Sequence, residues 1–367
     1  MNANAWMLHA TETQTLVRDI QGTDTPQAGD QWRQTAGNIY GWVTISDAGD
    51  SVIAVAECYS DRDMIDRIKL IGWGTNAINY VKIYAPSGQR HTGVANTGFK
   101  IYVPDADNIL ELNDVDILIQ YIEFHGGGRQ ITGTYRYGIR TIRIDSCIFH
   151  DNIWGAMIDI PNNAYLTTMI WNSVFYSSFS AAIGPGHYSA DVHVENCSIY
   201  NPGGIGVFRA ECYNVVTHRG ENAVDPGFGD ECTGDYNCDG VEVETDGSAP
   251  GLNSLHNQTL SDISWVCTDL HPAENKQIDL HTYTDYYTDS VLIGQGVDRS
   301  AGVIGFNTDI DGDPRIGLWT IGVDQKAYSS SSSSASSSSA SSASVVSSSS
   351  SSGSTFDLRL RDITYDV

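Results

Sequence analysis

Four ring side chains, His125, His150, Tyr176 and Tyr200, recur at intervals of 25, 26 and 24 positions. If those intervals are turns of one coil, the rings stack about 4.8 Å apart as a flat outward ladder. Aromatic faces beside polar groups suit sugar rings or another protein surface; the competing reading is that loops of this chain or a neighbouring subunit cover the column. Glu123 lies two residues before His125, hence on the same face of an extended segment. It is the best single candidate for an acid in glycosidic cleavage, which requires two carboxylates at a defined separation, or a base aided by Ca2+ or Arg. No second carboxylate stacks on it, because its column continues as Ile148, Val174 and Ser198. Asp145 and Glu195 share another column, interrupted by Trp171, and Asp159 ends a different strand.

A second constellation is Asp235-Tyr236-Asn237-Cys238-Asp239-Gly240-Val241, with Asp246 following. Oxygen side chains at loop positions one, three and five, Gly at six, a backbone carbonyl from Val241 and a carboxylate at twelve match a Ca2+ loop. Helices do not flank it, the twelfth residue is Asp instead of Glu, and the segment after Val241 reads as strand, so an Asx-rich turn competes. Ca2+ is therefore the one possible cofactor; otherwise none is expected. Asp309, Asp311 and Asp313 form a further acidic turn beside Arg315.

The elements that must position these groups show in the same period. Residues 117–125, 142–150, 168–176 and 192–200 each read apolar, x, apolar, polar, corner, small, x, apolar. Strand alternation points Ile119, Ile144, Ile170 and Val194 inward, then Ile122, Cys147, Ser173 and Cys197, then Phe124, Phe149, Phe175 and Ile199. Asn172 and Asn196 occupy the corner, where an amide bonds neighbouring rungs and tolerates bend angles. A second strand per coil is expected at Trp154–Ile158, Phe179–Ile183 and Gly203–Val207. The fold class is all-β, a parallel β-helix solenoid.

Composition agrees. Only 20 Lys plus Arg and a formal charge of −25 argue against a nucleic-acid partner, since phosphates need a positive surface. No membrane partner is expected, because no stretch suits a bilayer crossing. The start lacks a basic, apolar leader, so synthesis in a cytoplasm without a signal peptide is expected. The seven cysteines lack zinc spacing; Cys147 and Cys197 read as core, and Cys232 and Cys238 flank a loop where they could pair.

The chain divides into residues 1–105, a β cap with irregular first rungs; 106–328, the β-helix; 329–354, a serine-rich linker that cannot bury enough apolar surface to fold; and 355–367. In the last, Phe356, Leu358 and Leu360 alternate with charged residues, as in a strand that adds to a sheet edge and anchors the protein.

These coils, with the runs 53–59, 96–101, 292–298 and Asp309-Ile310-Asp311-Gly312-Asp313-Pro314-Arg315 before Trp319-Thr320-Ile321-Gly322, resemble the right-handed parallel β-helix proteins of the pectate-lyase-like superfamily. The resemblance is closest to those encoded by tailed phages, some with serine-rich tails, and covers roughly residues 35–328. It implies a homo-oligomeric virion-surface protein, a spike, fibre or decoration, whose partners are other virion proteins and host-surface polysaccharide. The alternative is a tailspike-type depolymerase, a lyase or glycosidase acting through Glu123. Fold alone does not choose between them.

Overall fold

The computed structural model describes residues 53–324 apart from 60–63, 72–74, 135–139, 161–165, 186–190, 219–226, 241–248, 268–278 and a few positions between, and before them only the backbone strands Ala5–Leu8, Leu16–Asp19, Gln31–Trp32 and Val43–Thr44. The serine-rich linker and the proposed anchor Phe356, Leu358 and Leu360 lie outside the described residues.

The chain is an all-β parallel solenoid of about six turns. Three parallel sheets run along it. The first has eight strands from Ala54–Glu57 to Thr233–Asp235, the second eight from Lys100–Val103 to Leu255–Gln258, and the third five from Ile68–Ile71 to Ile183–Pro185. The stacking therefore reaches back to Ala54, inside the segment read as cap and irregular rungs. The stretches read as second strands are mostly the approach to the third sheet. Its strands there are Ile158–Ile160 and Ile183–Pro185, and isolated bridges from Ile183 to Val207 and from Val207 to Phe228 continue the stack.

Register follows the repeat. Ile119 pairs with Ile144, Ile144 with Ile170, and Ile170 with Val194, and none of the four has exposed surface. Phe124, Phe149 and Phe175 form an interior stack with centroids 4.9 and 4.8 Å apart and planes tilted by 1° and 6°. Identical side chains pile up because each rung offers the same space as the last. The corner after the first sheet is a column of left-handed residues: Tyr121, Ser146, Asn172, Asn196 and Asn214, with φ between 49° and 59°. An L-residue with a bulky side chain resists that region, whereas Asn enters it readily, which accounts for the asparagines.

A second apolar core lies outside the solenoid. Ile148, Val174, Val216 and Cys238 face outward from the second sheet, yet are buried beneath Ile263, Leu280, Leu292, Ile310, Ile321 and Val323. The C-terminal segment is tied down by polar contacts as well. Asn214 exchanges two 2.8 Å hydrogen bonds with the backbone of Val297, and Asn172 Nδ2 donates to Thr308 O at 3.0 Å. Among the described residues no helix is long and apolar enough to cross a membrane.

Candidate functional site

The ring column forms in the order read from the sequence: His125 pairs with His150, His150 with Tyr176, and Tyr176 with Tyr200. It also takes in Tyr102 before His125 and His218 after Tyr200. Those two fall off the 25-residue spacing, so the period alone does not find them. Ring centroids lie 4.7 Å apart for Tyr102 and His125, 4.3 Å for His125 and His150, and 4.7 Å for His150 and Tyr176. Trp265 meets Tyr200 edge-on at 5.6 Å and 83°.

This ladder is largely covered by the chain itself. His150 and Tyr176 are each 2% exposed and His218 has no exposed surface, while Tyr102, His125 and Tyr200 keep part of theirs. Two segments do the covering. One is the C-terminal region described above. The other is the excursion between strands Val81–Tyr84 and Lys100–Val103, which lays Ala95 and Asn96 over the lower end.

Beneath that excursion Glu123 has no exposed surface. One carboxylate oxygen, Oε1, lies 3.0 Å from His150 Nε2, and the other accepts the Asn96 N–H at 2.6 Å. His150 Nδ1 is 2.9 Å from Asp151 Oδ2. Burial alone would lower the His150 pKa, but hydrogen bonds to Asp151 and Glu123 outweigh it and raise the pKa above the ordinary histidine value. His125 moves the other way, down to about 4, through burial and the neighbouring His150 charge. Its Nδ1 is buried with no hydrogen-bond partner among the described residues. Glu123, His125 and His150 offer ligand atoms all within 4.8 Å of one another, the one such mixed cluster among the described residues. As a general acid, Glu123 is thus placed without access to a polymer.

Nearby, His91 Nδ1 accepts the Gly93 N–H at 3.2 Å, so the Nε2 proton must donate to Ser146 O at 2.8 Å. Burial holds this ring down at about 4 and therefore neutral. His281 sits between Asp279 and Asp311, at 2.5 and 3.2 Å.

The candidate Ca2+ loop is spread out by the coil. Asp235 ends a first-sheet strand pointing outward, where its carboxylate accepts from Asn253 and Tyr236. Asn237 and Asp239 point inward without exposed surface; Asn237 bonds Cys212 O and the Val215 N–H, and Asp239 accepts from Thr217. The left-handed corner at Tyr236, φ 58°, interrupts the alternation between the two strands and leaves the carboxylates of Asp235 and Asp239 on opposite sides of the coil wall. Val241 and Asp246 lie outside the described residues. Asp309 Oδ1 accepts the N–H groups of Asp311 and Asp313, closing a turn, and Arg315 bonds the carbonyls of Thr308, Thr320 and Gly322. The six described cysteines are free, and Cys232 lies beside Cys212 rather than Cys238.

Exposed rings occur elsewhere. Trp154 is 49% and Phe179 62% exposed, with Ile153 at 46%. Ile153 and Phe179 each follow by three positions the paired residues His150 and Tyr176, so they occupy successive rungs. Arg129 stacks on Trp154 at 4.2 Å and pairs with Asp159 at 2.6 Å.

No protein-family model matches this chain, and no curated protein matches it. What the structure defines is the class, a parallel β-solenoid protein.

Proposed function

We propose that this chain is a non-enzymatic surface protein of a virion, a spike, fibre or decoration, whose rigid β-helix meets host polysaccharide. The observation that carries the non-enzymatic part is the burial of Glu123, the acid beside the ring column, under the chain's own excursion and against His150 and Asn96. A glycosidase acid must reach the bond it protonates. Polysaccharide contact on this reading belongs to Trp154 and Phe179, where sugar faces can stack on open rings and hydroxyls can bond the Arg129–Asp159 pair. The serine-rich tract then serves as a spacer, and the segment 355–367 as an attachment to other virion proteins. Ca2+ has no converging ligand set among the described residues of the 235–246 loop and plays no part in this reading.

The test is tryptophan fluorescence during titration with host-surface polysaccharide, paired with a reducing-end assay. Saturable quenching lost in Trp154→Ala and Phe179→Ala, without new reducing ends, is the expected result. Release of ends by the intact protein, abolished in Glu123→Gln, overturns it in favour of a depolymerase. Mass spectrometry of purified particles tests the virion address.

A further inference from the structure

We propose that Glu123, His125 and His150 form a binding site for a divalent transition metal, Zn2+ in the first instance, that staples two successive rungs of the solenoid. The proposal does not depend on the function above. Glu123 and His125 come from one strand, Glu123–Gly126, and His150 from the next, Ile148–His150, paired in register. Glu123 Oε1 and His150 Nε2 are 3.0 Å apart. Two ligands at about 2.0–2.1 Å from one tetrahedral zinc are themselves roughly 3.3 Å apart, so the metal needs only a small spreading of this pair.

The surroundings are those of a metal-bound histidine. Asp151 already holds His150 Nδ1 at 2.9 Å, the carboxylate–histidine arrangement that leaves Nε2 as the ligand atom and fixes the ring's orientation. His125 carries the orphaned Nδ1, and its ring must turn out of the stack with His150, because a metal lies in the plane of each imidazole it binds. With its side chain 30% exposed, it has room to do so and gives the ion an entry path. The charges balance too. When M2+ enters, the proton shared by His150 and Glu123 leaves to solvent, and two carboxylates, Glu123 and Asp151, meet a dipositive ion. Two imidazoles and a carboxylate favour zinc or iron over Ca2+, which prefers six or more oxygens. A fourth coordination position stays open on the His125 side.

The experiment uses the full chain, stripped with chelator and titrated with Zn2+ by calorimetry in excess Ca2+, with Co2+ absorption as a second readout. The expected result is one Zn2+ per chain, visible bands of tetrahedral Co2+, and a higher thermal midpoint with metal. His125→Gln, at a partly exposed position whose loss should not unfold the protein, is expected to weaken Zn2+ by at least about ten-fold, and Asp151→Asn by about 10–100-fold. Equal Zn2+ affinity in His125→Gln and the parent, or no Zn2+ binding that survives Ca2+, overturns the site.

Discussion

Arg299 reaches back 104 positions to place Nη2 2.7 Å from Oε1 of Glu195, a carboxylate with no exposed surface. The guanidinium also lies over the Tyr213 ring at 3.8 Å, one rung further along the same column. The contact fastens the C-terminal segment to the first sheet while neutralising a buried charge. Removing one partner of such a pair leaves the other uncompensated, which costs about 3–5 kcal/mol. Arg299→Ala is therefore expected to lower the unfolding free energy from urea denaturation by that amount, with a correspondingly lower midpoint. The double variant Arg299→Ala/Glu195→Gln should recover much of the loss, and a double variant no more stable than Arg299→Ala would show that packing, not charge, is what Arg299 supplies.

Asn172 combines a φ of 49° with the bond to Thr308 O. Alanine there loses the bond, about 1 kcal/mol, and must still hold a left-handed backbone at about 1–2 kcal/mol. Glycine loses the bond but not the backbone freedom. Chemical denaturation is expected to rank the parent above Asn172→Gly and Asn172→Gly above Asn172→Ala; the reverse order of the two variants would mean the corner geometry carries no strain.

The middle ring of the interior stack, Phe149, touches a phenylalanine on either side. Truncation to alanine opens a cavity that neighbours fixed in register cannot close, an expected loss of about 3–5 kcal/mol. Phe149→Leu, which keeps most of the volume, should cost distinctly less, and equal midpoints for the two variants would mean the stack relaxes around the hole.

These columns were legible in the sequence because stacking repeats one environment at every turn, so Phe124, Phe149 and Phe175 had to be alike. The outer cover was not. Alternation correctly put Glu123, Ile148 and Val174 on the outside of their strand, but it says only which side of its own strand a residue takes, not what lands on that side. The excursion bearing Asn96 and the segment bearing Ile310 and Val323 obey no period. Their contacts join positions far apart in sequence through shape, which leaves no local pattern. The open rings Trp154 and Phe179 were visible in the sequence as apolar residues, and the shared logic of the repeat assigned them to strands, whereas both lie in bends of the chain.

His281 offers a pH test of that cover, because it joins Leu280 of the outer core to the acidic turn at Asp311. Burial lowers its affinity for a proton, yet the hydrogen bond to Asp279 and the nearby Asp311 carboxylate outweigh this and raise its pKa to about 10. In the unfolded chain a histidine titrates near about 6.5. Folding thus favours the imidazolium. Its stabilising contribution is complete below about pH 6.5, declines as pH rises, and is gone once pH has passed through about 10. The neighbouring His91 does not add to this, since it is neutral above about 4. Comparing thermal midpoints of the parent and His281→Gln cancels the titration of groups that do not interact with His281. The parent's advantage is expected to be largest at mildly acidic pH and to shrink steadily toward about pH 10. A gap that stays constant across that interval would mean His281 is not held as a cation between its two carboxylates.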